Sequence, residues 1–256
     1  MPASYAHYRF GRLALPKLPE EKRRCVQRFR QLFDAGLHGP DLFFYYNPAF
    51  HTKIGALGSH YHHLTGKEFF EGCVSHLREH YSEGGEAYLL GVLCHFTLDS
   101  FCHPLVNATA AEGKIGHIEL ETEFDRSLMA MDGIESPQTT NTGSHMRLTW
   151  GECVTVSGFY PETSAYTIRQ SMFNMALVHR AIALKNRKLV ENGARLFGAA
   201  QMVMYSRPNH KCAGLIPQLH GLYDEALEHF PAMAEALRAC IRGDGSLGGQ
   251  FDLIFG

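Results

Sequence analysis

The chain has 256 residues, 45 % of them hydrophobic and 20 % charged, enough to bury the core of one large domain or two small ones. A formal charge of -2 and a pI near 6.8 argue against a protein that grips nucleic acid through a broad basic surface. No apolar run approaches the ~20 residues that span a bilayer, and the opening MPASYAHYRFGR lacks a secretory signal pattern. The seven cysteines are odd in number and contain no CxxC, so the reading is a reduced, cytoplasmic protein.

The predicted elements are helices joined by loops. Residues 18–35 carry Val26, Phe29, Leu32 and Phe33 at helical spacing, with Glu20 and Glu21 in the first turn and Gly36 suited to the stop. Residues 36–58 read as a long loop containing GPDLFFYYNP. Residues 67–81 are helical, with Phe69, Phe70, Val74 and Leu77 on one stripe, and SEGG marks a break after them. Residues 86–102 are apolar on almost every side, which predicts a central buried helix. Pro104 disfavours helical backbone at His103, which is therefore expected where the chain leaves that helix. A helix over 114–131 follows. Residues 132–163 read as loop-rich, with GSHM taken as native sequence. Helices are expected over 162–189, over 192–205 and from about 217 to 241, before a Gly-rich tail. Strand alternation, internal repeats and linker-like composition shifts are missing, so the expectation is one all-α domain over residues 1–256.

The chemistry concentrates in the first half. His95, Asp99 and His103 sit in LLGVLCHFTLDSFCHP, and His117 and Glu121 in GHIELE. A helix sets residues i and i+4 side by side on one face. His95 with Asp99 and His117 with Glu121 are thus two ready-made clamps of the imidazole and carboxylate type that holds zinc. His7, Asp41 and one histidine of HYHH (His60, His62 or His63) complete a set large enough for a polynuclear centre. Each member alone is ordinary, and the joint pattern is the signal. Cys94 and Cys102 flank the ligand run and read as small buried side chains.

These motifs resemble those of the zinc-dependent phospholipase C family, whose fold is shared with the single-strand-specific zinc nucleases. HYRFG at 7–11 is similar to the family's N-terminal histidine segment, and GPDLFFYY at 39–46 to its GPD loop. LGSHYHHLTGKEFF at 57–70 resembles the segment in which a histidine precedes a GxEFF-like helix start, and by that spacing His62 is the match. HFTLDSFCHP and GHIELE resemble the two strongest motifs, in the family's order. The resemblance covers roughly residues 5–130. It implies an all-α multi-helix bundle with a metal cleft between helices and two or three zinc ions. Asp41, His62, His95 and Asp99 would surround one ion; His103, His117 and Glu121 a second; His7 a third, with Asp99 as a bridge. In secreted members the third ion is also held by an amino-terminal tryptophan, whereas the single tryptophan here is Trp150. The third site, and any part in it of the amine of Met1 or Pro2, therefore stays open.

Three divalent ions against Asp41, Asp99 and Glu121 leave +3, and two ions leave +1, an excess that suits a phosphate ester. The implied reaction is hydrolysis by a hydroxide shared between metals about 3.5–4 Å apart, with Asp41 ordering or deprotonating the nucleophile. Phe43, Phe44, Tyr45, Tyr46, Phe50 and Tyr61 crowd the segments around Asp41 and His62. Tyr45, Tyr46 and Tyr61 are the expected substrate contacts. The substrate is a phospholipid or a soluble, nucleotide-like phosphoester; stable nucleic-acid binding and a membrane span are not expected, and the oligomeric state stays open. Three other readings compete. An HD-type phosphohydrolase wants a His-Asp dipeptide that does not occur here. A helical protein stapled by zinc would favour a closed, Cys-rich site. A member of the fold that binds without turnover would carry zinc and be inert.

Overall fold

A computed structural model describes residues 4–256. The described helices are, in order, α1 (Ser4–Ala14), α2 (Glu20–Arg28), α3 (Arg30–Gly36), α4 (Lys53–His62), α5 (Gly66–Glu79), α6 (Glu83–Ala111), α7 (His117–Met131), α8 (Trp150–Ser157), α9 (Ala165–Ile182), α10 (Arg187–Leu196) and α11 (Ile216–Arg242). The only extended pairing among the described residues is an isolated bridge between Thr65 and Ile254. The protein is all-α.

The 29-residue α6 is the axis of the bundle, about 44 Å long. Ser82 caps it by accepting from Gly85 N, and from Gly84 to Ser100 every residue is buried. By length and composition it resembles a membrane span, but its apolar surface is covered by α1, α3, α5 and α11. One contiguous hydrophobic core runs from Ala6 to Phe255, with a small satellite of Val190, Ala194 and Val203 beneath α10.

Several expected boundaries move. The helix over 18–35 is two helices, broken at Phe29, whose φ of -111° and ψ of 41° leave the α region. The segment 36–58 holds a 3-10 turn over Gly39–Tyr45 and the start of α4, where the Thr52 side chain accepts from Gly55 N. The segment 132–163 holds α8, opened by a capping box between Thr149 and Glu152. Within GSHM, the Met146 side chain is buried and His145 stacks on Tyr8, so this segment packs as native structure. The largest difference is at Pro104, because α6 continues through it to Ala111 and His103 is helical. The proline is on the exposed side, while Cys102, His103 and Val106 are buried. Tertiary packing of that flank outweighs the hydrogen bond that proline cannot make.

Candidate metal centre

The centre is built where α3 crosses α6. A Cβ on Gly36 would lie 2.2 Å from Tyr88 O, and one on Gly91 would lie 2.2 Å from Phe33 O, so only glycines permit this approach. The crossing brings the backbone after α3 onto His95, whose Nδ1–H donates to Leu37 O at 3.1 Å. Gly39 then turns the chain with φ +44°, its Cα against the His95 ring, and delivers Asp41. Along α6, His95, Asp99 and His103 follow at successive i+4 positions. Eight residues advance the chain about 12 Å, which carries His103 to the α7 end of the site without leaving the helix.

The remaining members come from three other helices. α4 ends at His62, whose Nε2 lies 3.1 Å from Asp41 Oδ1. α7 opens with His117, followed one turn later by Glu121. α1 supplies His7, and α1 is itself anchored by Asp125 of α7. The Asp125 carboxylate accepts from Tyr5 N at 3.0 Å and from Ala6 N at 2.8 Å. Replacing Asp125 with Ala strands both amides. The expected cost is about 2 kcal/mol, a fall in Tm of roughly 4–8 °C, while Asp125→Asn keeps an acceptor and loses less. Thermal melts of the two variants check this.

Three donor groups result: His7, His95 and Asp99; Asp41, His62 and His95; and His103, His117 and Glu121. Within each, one nitrogen or oxygen from every residue lies within 4.8 Å of the others. Asp99 links them. Its Oδ1 is 3.2 Å from His7 Nε2 and 3.5 Å from His103 Nε2, and its Oδ2 is 3.0 Å from His95 Nε2 and 4.0 Å from His62 Nε2.

The tautomers test whether a cation fits. His95 Nδ1–H donates to Leu37 O, His62 Nδ1–H to Gly58 O at 2.6 Å, and His117 Nδ1–H to Asn107 Oδ1 at 3.0 Å. In the neutral ring each Nε2 is then a bare acceptor. These three lone pairs face the carboxylates of Asp99, Asp41 and Glu121. His95 Nε2 is 3.0 Å from Asp99 Oδ2 but out of line for a hydrogen bond, so this buried nitrogen has no hydrogen-bond partner. Acceptor facing acceptor in a buried site is repulsive unless a cation lies between, and the second ring nitrogen bound to an oxygen is how metal-ligating histidines are oriented. The donor set fits divalent zinc.

Burial alone would raise the Asp99 carboxyl, but the imidazoles of His103, His95 and His7 hold it well below the usual carboxylate range. Glu121 is likewise held low against burial by His103 and His117. Burial pushes His7 down, toward the neutral ring a ligand must present, whereas the carboxylates of Asp99 and Asp41 hold His95 above its ordinary value against burial, an attraction for positive charge at that nitrogen. Beside His7, Asp99, His103 and Glu121 lies a cavity of about 20 Å³, room for one water molecule.

Other expected positions fall differently. Of the HYHH histidines, His62 is the one brought to Asp41, while His60 and His63 are exposed. Tyr45 and Tyr61, expected against substrate, are core side chains. The Tyr45 hydroxyl meets His179 Nε2 at 3.3 Å, and that of Tyr61 donates to Glu162 at 2.7 Å. Tyr46 is half-buried, and its carbonyl accepts from Asn174. Phe44, also half-buried, has its ring 5.7 Å from that of His62. Cys94 and Cys102 are buried thiols outside the three groups, and burial pushes both up. The question of the Met1 or Pro2 amine lies outside the described residues.

Sequence reasoning missed three supports: Asp125, Asn107 and the tail. The segment after α11 runs back along residues 62–66, with Gly66 N donating to Leu253 O, Phe255 N to Leu64 O and Gly256 N to His62 O. The buried Phe255 ring packs 5.7 Å from His62 and 5.6 Å from His95, so the tail forms a wall of the site. Nothing local in GQFDLIFG signals this, because the contact is wholly tertiary.

An all-helical protein with a buried histidine and carboxylate cluster at its central helix is thus the class defined by fold and site. The family model for zinc-dependent phospholipase C matches residues 6–158, more than half of the chain and past the last of the clustered donors. The chain belongs to that family. No curated protein and no solved structure matches it.

Proposed function

We propose that the protein is a zinc-dependent phosphoesterase of phospholipase C type. The observation that carries this reading is the set of bare Nε2 lone pairs aimed at buried carboxylates. Asp41, His62, His95 and Asp99 would hold one ion and His103, His117 and Glu121 a second, with His7 beside Asp99 available to a third. Zinc bound there would supply Lewis acidity and lower the pKa of a bound water to about 7. The protein's own part is to fix the imidazoles through Leu37 O, Gly58 O and Asn107, and to exclude bulk water with the Phe255 wall. Asp41, buried and set against His62, is the carboxylate that would order or accept a proton from the attacking water. Three divalent ions would outweigh the three carboxylates by +3 and two would by +1, an excess that favours a phosphate ester and its more charged transition state.

The test is metal analysis joined to turnover. The purified protein should contain two or three zinc ions and hydrolyse bis-p-nitrophenyl phosphate. A chelator should abolish activity and lower Tm, and added zinc should restore both. Phosphatidylcholine and single-stranded DNA, assayed in the same series, separate a lipid substrate from a nucleotide-like one. A protein that binds no zinc, or that is inert to all three esters when loaded, would reject the reading.

A further inference from the structure

Net charge conceals a sharp asymmetry. Between residues 163 and 215 there are eight Lys and Arg and a single acid, Glu191, a local balance of +7. The rest of the chain has sixteen Lys and Arg against twenty-five Asp and Glu, a balance of -9. Elsewhere many cations are paired, as in Arg9 with Asp132, Lys22 with Glu86 and Arg126 with Glu123. Around α10, Lys185, Lys188 and Arg195 are exposed and form no ion pair among the described residues. Arg187 is the exception in use, its guanidinium donating to the carbonyls of Gln138, Ile182 and Met204 and pinning the segment to the body.

The same helix has two apolar faces. Val190 and Ala194 turn inward onto Ile182, Ala199 and Val203. Leu189 and Leu196, seven residues apart and so on one stripe, turn outward with 59 % and 80 % exposure, joined by Leu184 at 45 % and Phe197 at 69 %. Single exposed leucines are common on protein surfaces. Four large apolar side chains within fourteen residues, interleaved with unpaired cations, form the pattern of a helix that lies in a membrane interface. Three of the four are aliphatic leucines that give nucleic-acid bases nothing to stack on, which weighs against a polynucleotide.

The segment that follows α10 reaches the helix that carries His117 and Glu121. Thr122 of α7 donates to Gln201 O at 2.9 Å, and Asn209 donates to Glu119 at 2.8 Å, so residues 201–209 lie on the turn that presents His117. His117 is the most exposed of the clustered donors, at 31 %.

We infer that α10 and its flanks dock the protein on an anionic lipid surface, leucines in the acyl boundary and cations among the head groups. The inference deepens the phosphoesterase reading and rests on it for its purpose, since docking would hold the protein at a lipid surface through the segment that leads to α7. The experiment floats the full-length, zinc-loaded protein with vesicles of phosphatidylcholine alone and with about one third phosphatidylserine. Two variants accompany it: Leu189→Asp with Leu196→Asp, and Lys185→Glu with Lys188→Glu and Arg195→Glu. Binding should require phosphatidylserine, weaken with salt, and fall at least about tenfold in both variants. Hydrolysis of bis-p-nitrophenyl phosphate should be unchanged in them. Absence of binding, equal binding to neutral vesicles, binding unaffected by the substitutions, or capture of single-stranded DNA in place of vesicles would overturn the inference. A zinc-loaded protein inert to bis-p-nitrophenyl phosphate, phosphatidylcholine and single-stranded DNA, with vesicle binding intact, would instead sink the phosphoesterase reading and leave the docking surface standing.

Discussion

Asp99→Ala should lower kcat/KM for bis-p-nitrophenyl phosphate by on the order of 10³, about 4 kcal/mol of transition-state stabilisation, and should strip most of the zinc. The expectation follows from geometry. Asp99 stands within 4.0 Å of a nitrogen on His7, His62, His95 and His103, which together belong to all three donor groups. Removing it withdraws at once a negative charge from among buried imidazoles and the proposed shared ligand. Asp99→Asn keeps the shape and one acceptor oxygen but not the charge, and should also lose zinc, which separates charge from packing. His179→Ala is the control. That ring is buried but bonds to the hydroxyls of Ser4 and Thr142, outside the groups, so this variant should melt earlier with its zinc stoichiometry intact. Zinc measured per protein by atomic emission decides the matter. An Asp99→Ala protein with full metal and near-normal turnover would mean that the centre is assembled around something else.

What could be read from the sequence was whatever is local. The His95, Asp99 and His103 run and the His117 and Glu121 pair are legible because i and i+4 fall on one helical face. The long buried α6 is legible because its apolar residues leave no polar side. His7, Asp41 and the choice of His62 came through the family resemblance, since nothing near them in sequence points toward α6. α4 was hidden by Gly55 and Gly58, poor helix formers that here sit beside Phe44 and the Thr52 cap. α8 had its signal in plain view, Thr149 followed three residues later by Glu152, in a segment otherwise rich in turn formers. His103 was misplaced because a local rule about proline yields to burial of the flanking residues. Asp125, Asn107 and the Phe255 wall are joined to the site only across long stretches of chain, and no local pattern encodes them. Tyr45 and Tyr61, two of the three tyrosines expected against substrate, pack in the core, because aromatic residues near a site in sequence serve burial as readily as binding.

Gly91→Ala should be among the most destabilising single-methyl additions this fold can receive, and it should cost metal as well as stability. The new Cβ would meet Phe33 O at 2.2 Å and Gly36 Cα at 3.0 Å. Both are backbone atoms, so no side-chain rotation relieves the clash and α3 must lift from α6. Overpacking of this kind costs about 3 kcal/mol, a fall in Tm of roughly 6–12 °C for a chain of this size. The lift has a chemical consequence, because Leu37, the residue after α3, supplies the carbonyl that fixes the His95 tautomer. Displacing it frees the ring to rotate, and loss of such an outer partner lowers metal affinity about 10–100-fold. Gly72→Ala is the contrast: it lies within α5, where an added Cβ meets nothing within 4 Å. There the change should stabilise by about 0.5–1 kcal/mol through helix propensity and leave zinc untouched. Melting curves and zinc affinity by competition with a chromogenic chelator distinguish the cases. Should Gly91→Ala melt lower yet bind zinc as tightly as the parent, the helix crossing supports the bundle but does not orient His95. Should it melt unchanged, the close approach of α3 and α6 is wrong, and with it the route by which Asp41 reaches the centre.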